Sequence, residues 1–300
     1  MDQPALLAEL EPRAAELLER HLATAREWFP HLLVPWSRGR DFGADEHRDP
    51  DDAPISAAAG SALFVNLLTE DNLPHYFRTI SDCFGRDDAW GAWTRRWTAE
   101  EGRHAIVIRD YLTVTRAIDP VALERARMTQ VSNGVVPEPP SLADGLVYAS
   151  LQELATRIAH HNTGRLLSDP VGRRIMTRVA SDENLHHLFY RDLTTAALAI
   201  DPATVVPAID RQVRHFAMPG TGIPDFARHA RAIANAGVYD FAAHHEQILV
   251  PVLLRHWRID RLQGLKATAE QARERLLRHI DRVGRIARRL VERRKPQPAT

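Results

Sequence analysis

Residues 97–105, WTAEEGRHA, place a carboxylate (Glu101) and an imidazole (His104) one helical turn apart. Residues 180–188, ASDENLHHL, repeat the arrangement with Glu183 and His186. At this spacing both side chains of a pair share one face of a helix. The first pair lies on the stripe Trp93, Trp97, Glu101, His104, Ile108 and the second on Met176, Val179, Glu183, His186, Tyr190, Leu193. Apolar residues on both sides of each pair mark these as core-facing stripes that carry ionisable groups inward. Two further stripes hold a lone acid: Leu63, Leu67, Glu70, Leu73, Phe77, and Leu146, Ala149, Ser150, Glu153, Thr156, His160. Four carboxylates and two imidazoles of this kind are a metal-binding set.

The spacing also sets their heights. Helical patterns over 56–84 and 88–117 are joined by the short turn FGRDD, which implies an antiparallel hairpin. The midpoint between Glu70 and Glu101 falls between Gly85 and Arg86, inside that turn. With a rise of about 1.5 Å per residue, both acids sit roughly 20 Å from the turn and level with each other. In the second hairpin the midpoint of Glu153 and Glu183 is Ser168, inside the turn LSDP. Four ionised carboxylates in a core would repel and be poorly solvated, at about several kcal/mol each. Two divalent cations balance them, and mostly oxygen donors with one imidazole per metal suit iron or manganese better than zinc or copper. A single Glu-x-x-His is common on helices that bind nothing; two of them with two acids at matched heights are the distinguishing pattern. Glu100 lies on a different face and reads as an acid at the surface or one supporting the ligands. His187 points about 100° away from His186 and reads as a non-ligand.

The rest of the chain must position these groups. Helical spacing covers 2–27, 56–84, 88–117, 141–168, 171–200, 224–257 (interrupted) and 267–292, with turn-like breaks at 84–88, 133–140, 167–170 and 218–224. Strand patterns are missing. At 300 residues and 44% hydrophobic content the chain can bury a large core. No linker divides it, so one domain is expected over 1–295 with a disordered tail at 296–300. The fold class is all-α and resembles a ferritin-like di-iron four-helix bundle with flanking helices: a Glu from each of two helices and a Glu-x-x-His from each of the other two. The stretch 118–140 serves as its long crossover. Cys83 is the only cysteine, which rules out an internal disulfide. No apolar run reaches the roughly 20 residues of a membrane span, and the start carries no basic leader. A cytoplasmic protein without a nucleic-acid partner is expected. Net charge is zero but uneven: Arg255–Lys295 holds fourteen bases against five acids, and the first fifty-six residues hold twelve acids against six bases.

Beyond spacing, LLTEDNLPHYFRTI, WTRRWTAEEGRHA, LQELATRIAHHNTGRL, VASDENLHHLFY and GVYDFAAHHEQILVPVLLRHWRIDRLQGL resemble, in order, blocks of the soluble acyl-acyl-carrier-protein desaturases, the stearoyl type of plastids and actinobacteria. The resemblance implies that Glu70, Glu101, His104, Glu153, Glu183 and His186 bind two Fe2+ ions per subunit. It implies that Thr156 and His160 lie near the metals, and that Trp28, Asp182 and His104 form a hydrogen-bonded route for electrons. It further implies removal of two hydrogens from an acyl chain on acyl carrier protein, using O2 and reduced ferredoxin, in a homodimer. The acidic carrier would meet a basic surface, for which Arg255–Lys295 and Arg26 are candidates. Asp71, Gly102 and the ending NLHH depart from the family pattern without removing a ligand. Three other readings use the same ligands: hydroxylation or N-oxidation of a carrier-bound substrate, a ribonucleotide reductase small subunit with Tyr190 as its radical, and an iron-storing or non-catalytic carrier-binding relative.

Overall fold

A computed structural model describes residues 2–43, 54–220 and 222–294, which form helices and loops with no strand among them. In chain order the helices are α1 (Gln3–Thr24), α2 (Pro30–Leu33), α3 (Ala57–Asp71), α4 (Leu73–Phe84), α5 (Asp88–Val114), α6 (Pro120–Asn133), α7 (Leu142–Leu166), α8 (Pro170–Ile200), α9 (Pro202–Arg214), α10 (Phe226–Asn235), α11 (Phe241–His244) and α12 (Ala267–Arg294). Helix α11 runs on as a π-helix over His245–His256. The tail expected at 296–300 lies outside the described residues.

Helix starts follow a simple chemistry. The side chains of Asp2, Ser56, Asp119, Ser141, Asp169, Asp201 and Asp240 each accept a hydrogen bond from a backbone N–H in the first turn. This satisfies a donor that has no partner within the helix. In Asp119-Pro120, Asp169-Pro170 and Asp201-Pro202 the proline adds a preset φ where its missing N–H costs nothing. Two of these pairs open α6 and α9, helices that lie inside the expected 118–140 crossover and in the gap left after residue 200.

One expected helix is two. The pattern over 56–84 breaks at Asn72, between α3 and α4. Pro74 sits in the first turn of α4; its ring and missing N–H cannot continue α3 through this point. Leu73 is then only half-buried and Phe77 is exposed, so the end of that stripe leaves the core. The interrupted stretch 224–257 likewise resolves into α10 and the α11–π segment.

Helices α3, α5, α7 and α8 form the central bundle, with α1 across α5 and α8, α9 against α7 and α12, and α6 and α10 against α3. Trp93, Trp97, Ile108, Met176, Val179, Tyr190, Leu193, Leu63, Leu67, Leu146 and Ala149 are buried, as their stripes require. Each large side chain among them contributes about 1.5–3 kcal/mol by leaving water. Beside Glu70, Arg127 of α6 holds Asp71 through Nε (2.5 Å) and a terminal nitrogen (3.0 Å), a two-pronged grip that fixes the end of α3. The helices approach closely where α8 begins. A Cβ on Gly172 would lie 2.5 Å from the Tyr111 hydroxyl and 2.9 Å from Leu167 Cδ1. Gly172→Ala is therefore expected to destabilise the fold by about 1–3 kcal/mol. Chemical denaturation checks this, and an unchanged midpoint would contradict the close packing.

Candidate metal centre

Glu70 comes from α3, Glu101 and His104 from α5, Glu153 from α7, and Glu183 and His186 from α8. All six are buried and converge. His104 Nδ1 lies 3.1 Å from Glu101 Oε2, 3.4 Å from Glu183 Oε1 and 3.7 Å from Glu70 Oε2. His186 Nδ1 lies 2.8 Å from Glu101 Oε1, 3.7 Å from Glu153 Oε2 and 3.9 Å from Glu183 Oε2. Each imidazole thus faces a glutamate of its own and one oxygen from each of Glu101 and Glu183. These two carboxylates span both halves of the cluster. Glu70, Glu101, His104 and Glu183 form one group and Glu101, Glu153, Glu183 and His186 the other, each with ligand atoms within 4.8 Å of one another.

The unpaired atoms fit a cation. Glu101 Oε1, Glu153 Oε2 and His186 Nδ1 are buried and make no hydrogen bond, although Glu101 Oε1 and His186 Nδ1 are 2.8 Å apart. Atoms this close, in so dry a place, need a shared positive charge, either a metal ion or a proton on the imidazole. Protonation alone compensates only in part. Burial, and then the charge of Glu183, pushes Glu153 well above the usual carboxylate range and raises Glu101. Burial also acts on Glu183, but the surrounding imidazoles of His104, His160 and His186 hold it well below that range. Glu70 is lowered the same way by His104 and His160. Both imidazoles rise far above their ordinary value against the effect of burial, His104 through Glu101 and Asp182, and His186 through Glu100 and Glu101.

The four other residues singled out by resemblance lie around this cluster. Thr156 Oγ1 is 3.1 Å from Glu183 Oε2 and 3.0 Å from the Glu153 carbonyl. His160 Nε2 is 2.9 Å from Glu70 Oε1 and 3.5 Å from Glu183 Oε1. Although burial opposes its charge, these carboxylates raise His160 to about 9. Trp28 Nε1 donates to Asp182 Oδ2 at 2.7 Å, and His104 Nε2 is 3.4 Å from the same oxygen. The guanidinium of Arg103 lies 4.8 Å from the Trp28 ring centre, and Arg178 pairs with Asp182.

Behind the second imidazole the arrangement is mirrored. His186 Nε2 donates to Glu100 Oε2 at 3.0 Å, and His21 Nε2 reaches the same oxygen at 2.9 Å. Arg96 holds the other oxygen at 2.5 Å. Glu100 is therefore not a surface acid. It is buried, and the bonds from His186 and His21 overcome desolvation and hold its carboxyl far below the usual range. With Nε2–H committed outward on both histidines, each Nδ1 lone pair is left for the centre. His187 turns away as expected: Nδ1 donates to the Ser150 carbonyl at 2.8 Å, and burial lowers its pKa to about 4. Trp97, read from the sequence only as core, donates to Glu153 Oε1 at 3.1 Å. His21 escaped sequence reasoning altogether. Its signal was a histidine ending the α1 stripe Leu6, Leu10, Ala14, Leu17.

Four helices, two spanning carboxylates and two Glu–His pairs define a candidate dinuclear centre of the carboxylate-rich helical-bundle class. Residues 2–300 match the family model for fatty acid desaturases, and the chain belongs to that family. It is 43% identical over 281 residues to DesA1 of Mycobacterium tuberculosis, a protein named as an acyl-acyl-carrier-protein desaturase, covering 90% of this chain and 83% of DesA1. It is 34% identical over 252 residues to the chloroplast stearoyl-acyl-carrier-protein 9-desaturase 6 of Arabidopsis thaliana, covering 78% of this chain and 64% of that protein. The X-ray structure of DesA2 from M. tuberculosis, a protein named as an acyl-acyl-carrier-protein desaturase, superposes with a TM-score of 0.72 at 27% identity. That match covers 89% of this chain and 99% of DesA2. Among the described residues, no helix is long and apolar enough to cross a membrane.

Proposed function

We propose that this chain is a di-iron desaturase that places a cis double bond in a fatty acyl chain carried on acyl carrier protein. The observation that carries the reading is the spanning pair Glu101 and Glu183, each offering one oxygen to either half of the centre. Glu70 with His104 would hold one iron and Glu153 with His186 the other. Bound there, iron supplies O2 activation and hydrogen abstraction from an unactivated alkyl chain.

The protein's part is positional. Trp97 fixes the orientation of Glu153, and Thr156 offers Glu183 a hydroxyl that can pass a proton along. Buried Trp93, Trp97 and Ile108 exclude water from the cluster. Trp28, Asp182 and His104 give reduced ferredoxin a hydrogen-bonded path from near the surface. A single domain, a homodimer and a cytoplasmic location complete the reading.

Incubation with stearoyl- or palmitoyl-acyl carrier protein, ferredoxin, its reductase and O2 should yield a cis-alkene by mass spectrometry. A hydroxylated product would replace desaturation with oxygen insertion at the same ligands.

The acidic carrier needs a basic face. Arg278, Arg282, Arg285, Arg289 and Arg293 of α12 are exposed and recur every three or four residues along one side of that helix. The double variant Arg285→Glu, Arg289→Glu should raise KM for the acyl carrier protein substrate about tenfold and leave kcat within about twofold. An unchanged KM would remove α12 as the docking surface.

A further inference from the structure

We infer that His21, on α1 and outside the metal-binding bundle, is a positioning residue for His186. The inference rests on the di-metal reading above. The link is a single oxygen: Glu100 Oε2 accepts from His186 Nε2 at 3.0 Å and from His21 Nε2 at 2.9 Å. His21 is 4% exposed and packs between Trp93, edge-on at 5.0 Å, and His186, stacked at 5.9 Å between ring centres. Its N–H therefore has one direction to point, and it points at the carboxylate that orients His186.

His21, Glu100 and His186 could also be read as three ligands of another cation. The charge around them argues otherwise. Arg96 lies 2.5 Å and Arg103 3.8 Å from Glu100 Oε1, so the carboxylate is already neutralised, and both imidazole N–H groups donate to its other oxygen. The cluster is a strut. It mirrors the support behind His104, where Asp182 Oδ2 receives Trp28 Nε1. A histidine whose rear N–H is held by a fixed carboxylate keeps its tautomer and ring angle, and loss of such a partner lowers metal affinity about 10–100-fold. A strut from α1 acts on one half of the centre, because Glu100 contacts His186 and leaves His104 to Asp182.

The surface beside His21 makes the test selective. A cleft of about 210 Å3 between α1 and α8 is lined by Leu17, Arg20, His21, Leu188 and Asp192 among others. Removing the imidazole in His21→Ala opens this cleft toward Glu100, wide enough for free imidazole to take its place. Anaerobic Co(II) titration followed by visible absorption counts the two sites without turnover. Wild type should bind two Co(II) per chain. His21→Ala should bind one as before and the second about 10–100-fold more weakly, with added imidazole restoring the second site. His21→Gln, which retains an N–H donor, should recover part of the loss. Two sites of wild-type affinity in His21→Ala, or equal weakening of both sites with no response to imidazole, would overturn the inference. Wild type binding no Co(II) would overturn the di-metal reading itself.

Discussion

Glu183→Ala should empty both metal positions, whereas Glu70→Ala should empty only one. The difference follows from where the oxygens point. Glu183 presents Oε1 to His104 and Oε2 to His186, so its removal takes a ligand from each half. Of the two Glu-x-x-His imidazoles Glu70 lies near His104 only, with Oε2 3.7 Å away. Removing a directly coordinating carboxylate should cost more than the 10–100-fold known for supporting residues, so at least about 100-fold in affinity is expected at each affected site. Glu183 is also the carboxylate that His104, His160 and His186 hold ionised. Three imidazoles would then lose their common counter-charge, and the metal-free variant should be less stable than wild type. Metal analysis after equilibrium dialysis, with circular dichroism to confirm folding, checks the pair. A folded Glu183→Ala that keeps one metal at wild-type affinity would mean that Glu183 does not span the centre.

Arg211→Ala should destabilise the fold by about 3 kcal/mol near neutral pH, and this penalty should fade in acid. Asp144, in the first turn of α7, is fully buried and receives Arg211 through Nε at 3.0 Å and a terminal nitrogen at 2.7 Å. Gln212 donates to it at 2.9 Å, and it pairs with the Ser141 hydroxyl at 2.5 Å. The pair ties α7, which carries Glu153, to α9. Removing the guanidinium leaves a buried charge short of its main partner, for which about 3–5 kcal/mol is usual. The low end applies because Gln212 and Ser141 remain. Burial raises the pKa of Asp144, but Arg211, Gln212 and Ser141 outweigh it, and the group sits below the usual carboxylate value. A depressed folded pKa adds stability above the unfolded value of about 3.9 and loses it as pH falls through the folded one. Wild type should therefore lose its advantage over Arg211→Ala in that acidic window. A gap between the two that stays constant from neutral pH into that window would contradict this assignment.

Sequence reasoning reached the cluster of six side chains because residues on one helical face recur with a period. Carboxylates and imidazoles on apolar stripes are rare enough to stand out, and antiparallel hairpins turn residue number into height. The level placement of Glu70 with Glu101 held even though α3 and α4 part at Asn72, since the break lies beyond the ligand, toward the turn. What spacing could not supply was support from outside the four helices. His21 is some eighty residues from Glu100 in sequence, and nothing local to WTAEE shows that a histidine from α1 will meet it. The face of Glu100 on its own helix allows either a surface acid or one supporting the ligands, and spacing does not decide between them. On its outer side stand α1 and α8, which turn an apparent surface face into an interior one. The α6 helix has a different reason: its apolar spacing is weak, and its start is written in an Asp-Pro cap rather than in periodicity; α9 does carry a legible stripe, Val205, Val206, Ile209 and Val213, behind its own Asp-Pro cap.

Mössbauer spectroscopy of the 57Fe-loaded, oxidised protein, with iron counted on the same sample, tests the central arrangement most directly. Two carboxylates spanning both halves should hold about two irons per chain as an exchange-coupled pair with a diamagnetic ground state. One iron per chain, or two irons with the magnetic spectra of isolated ions, would contradict a centre bridged by Glu101 and Glu183.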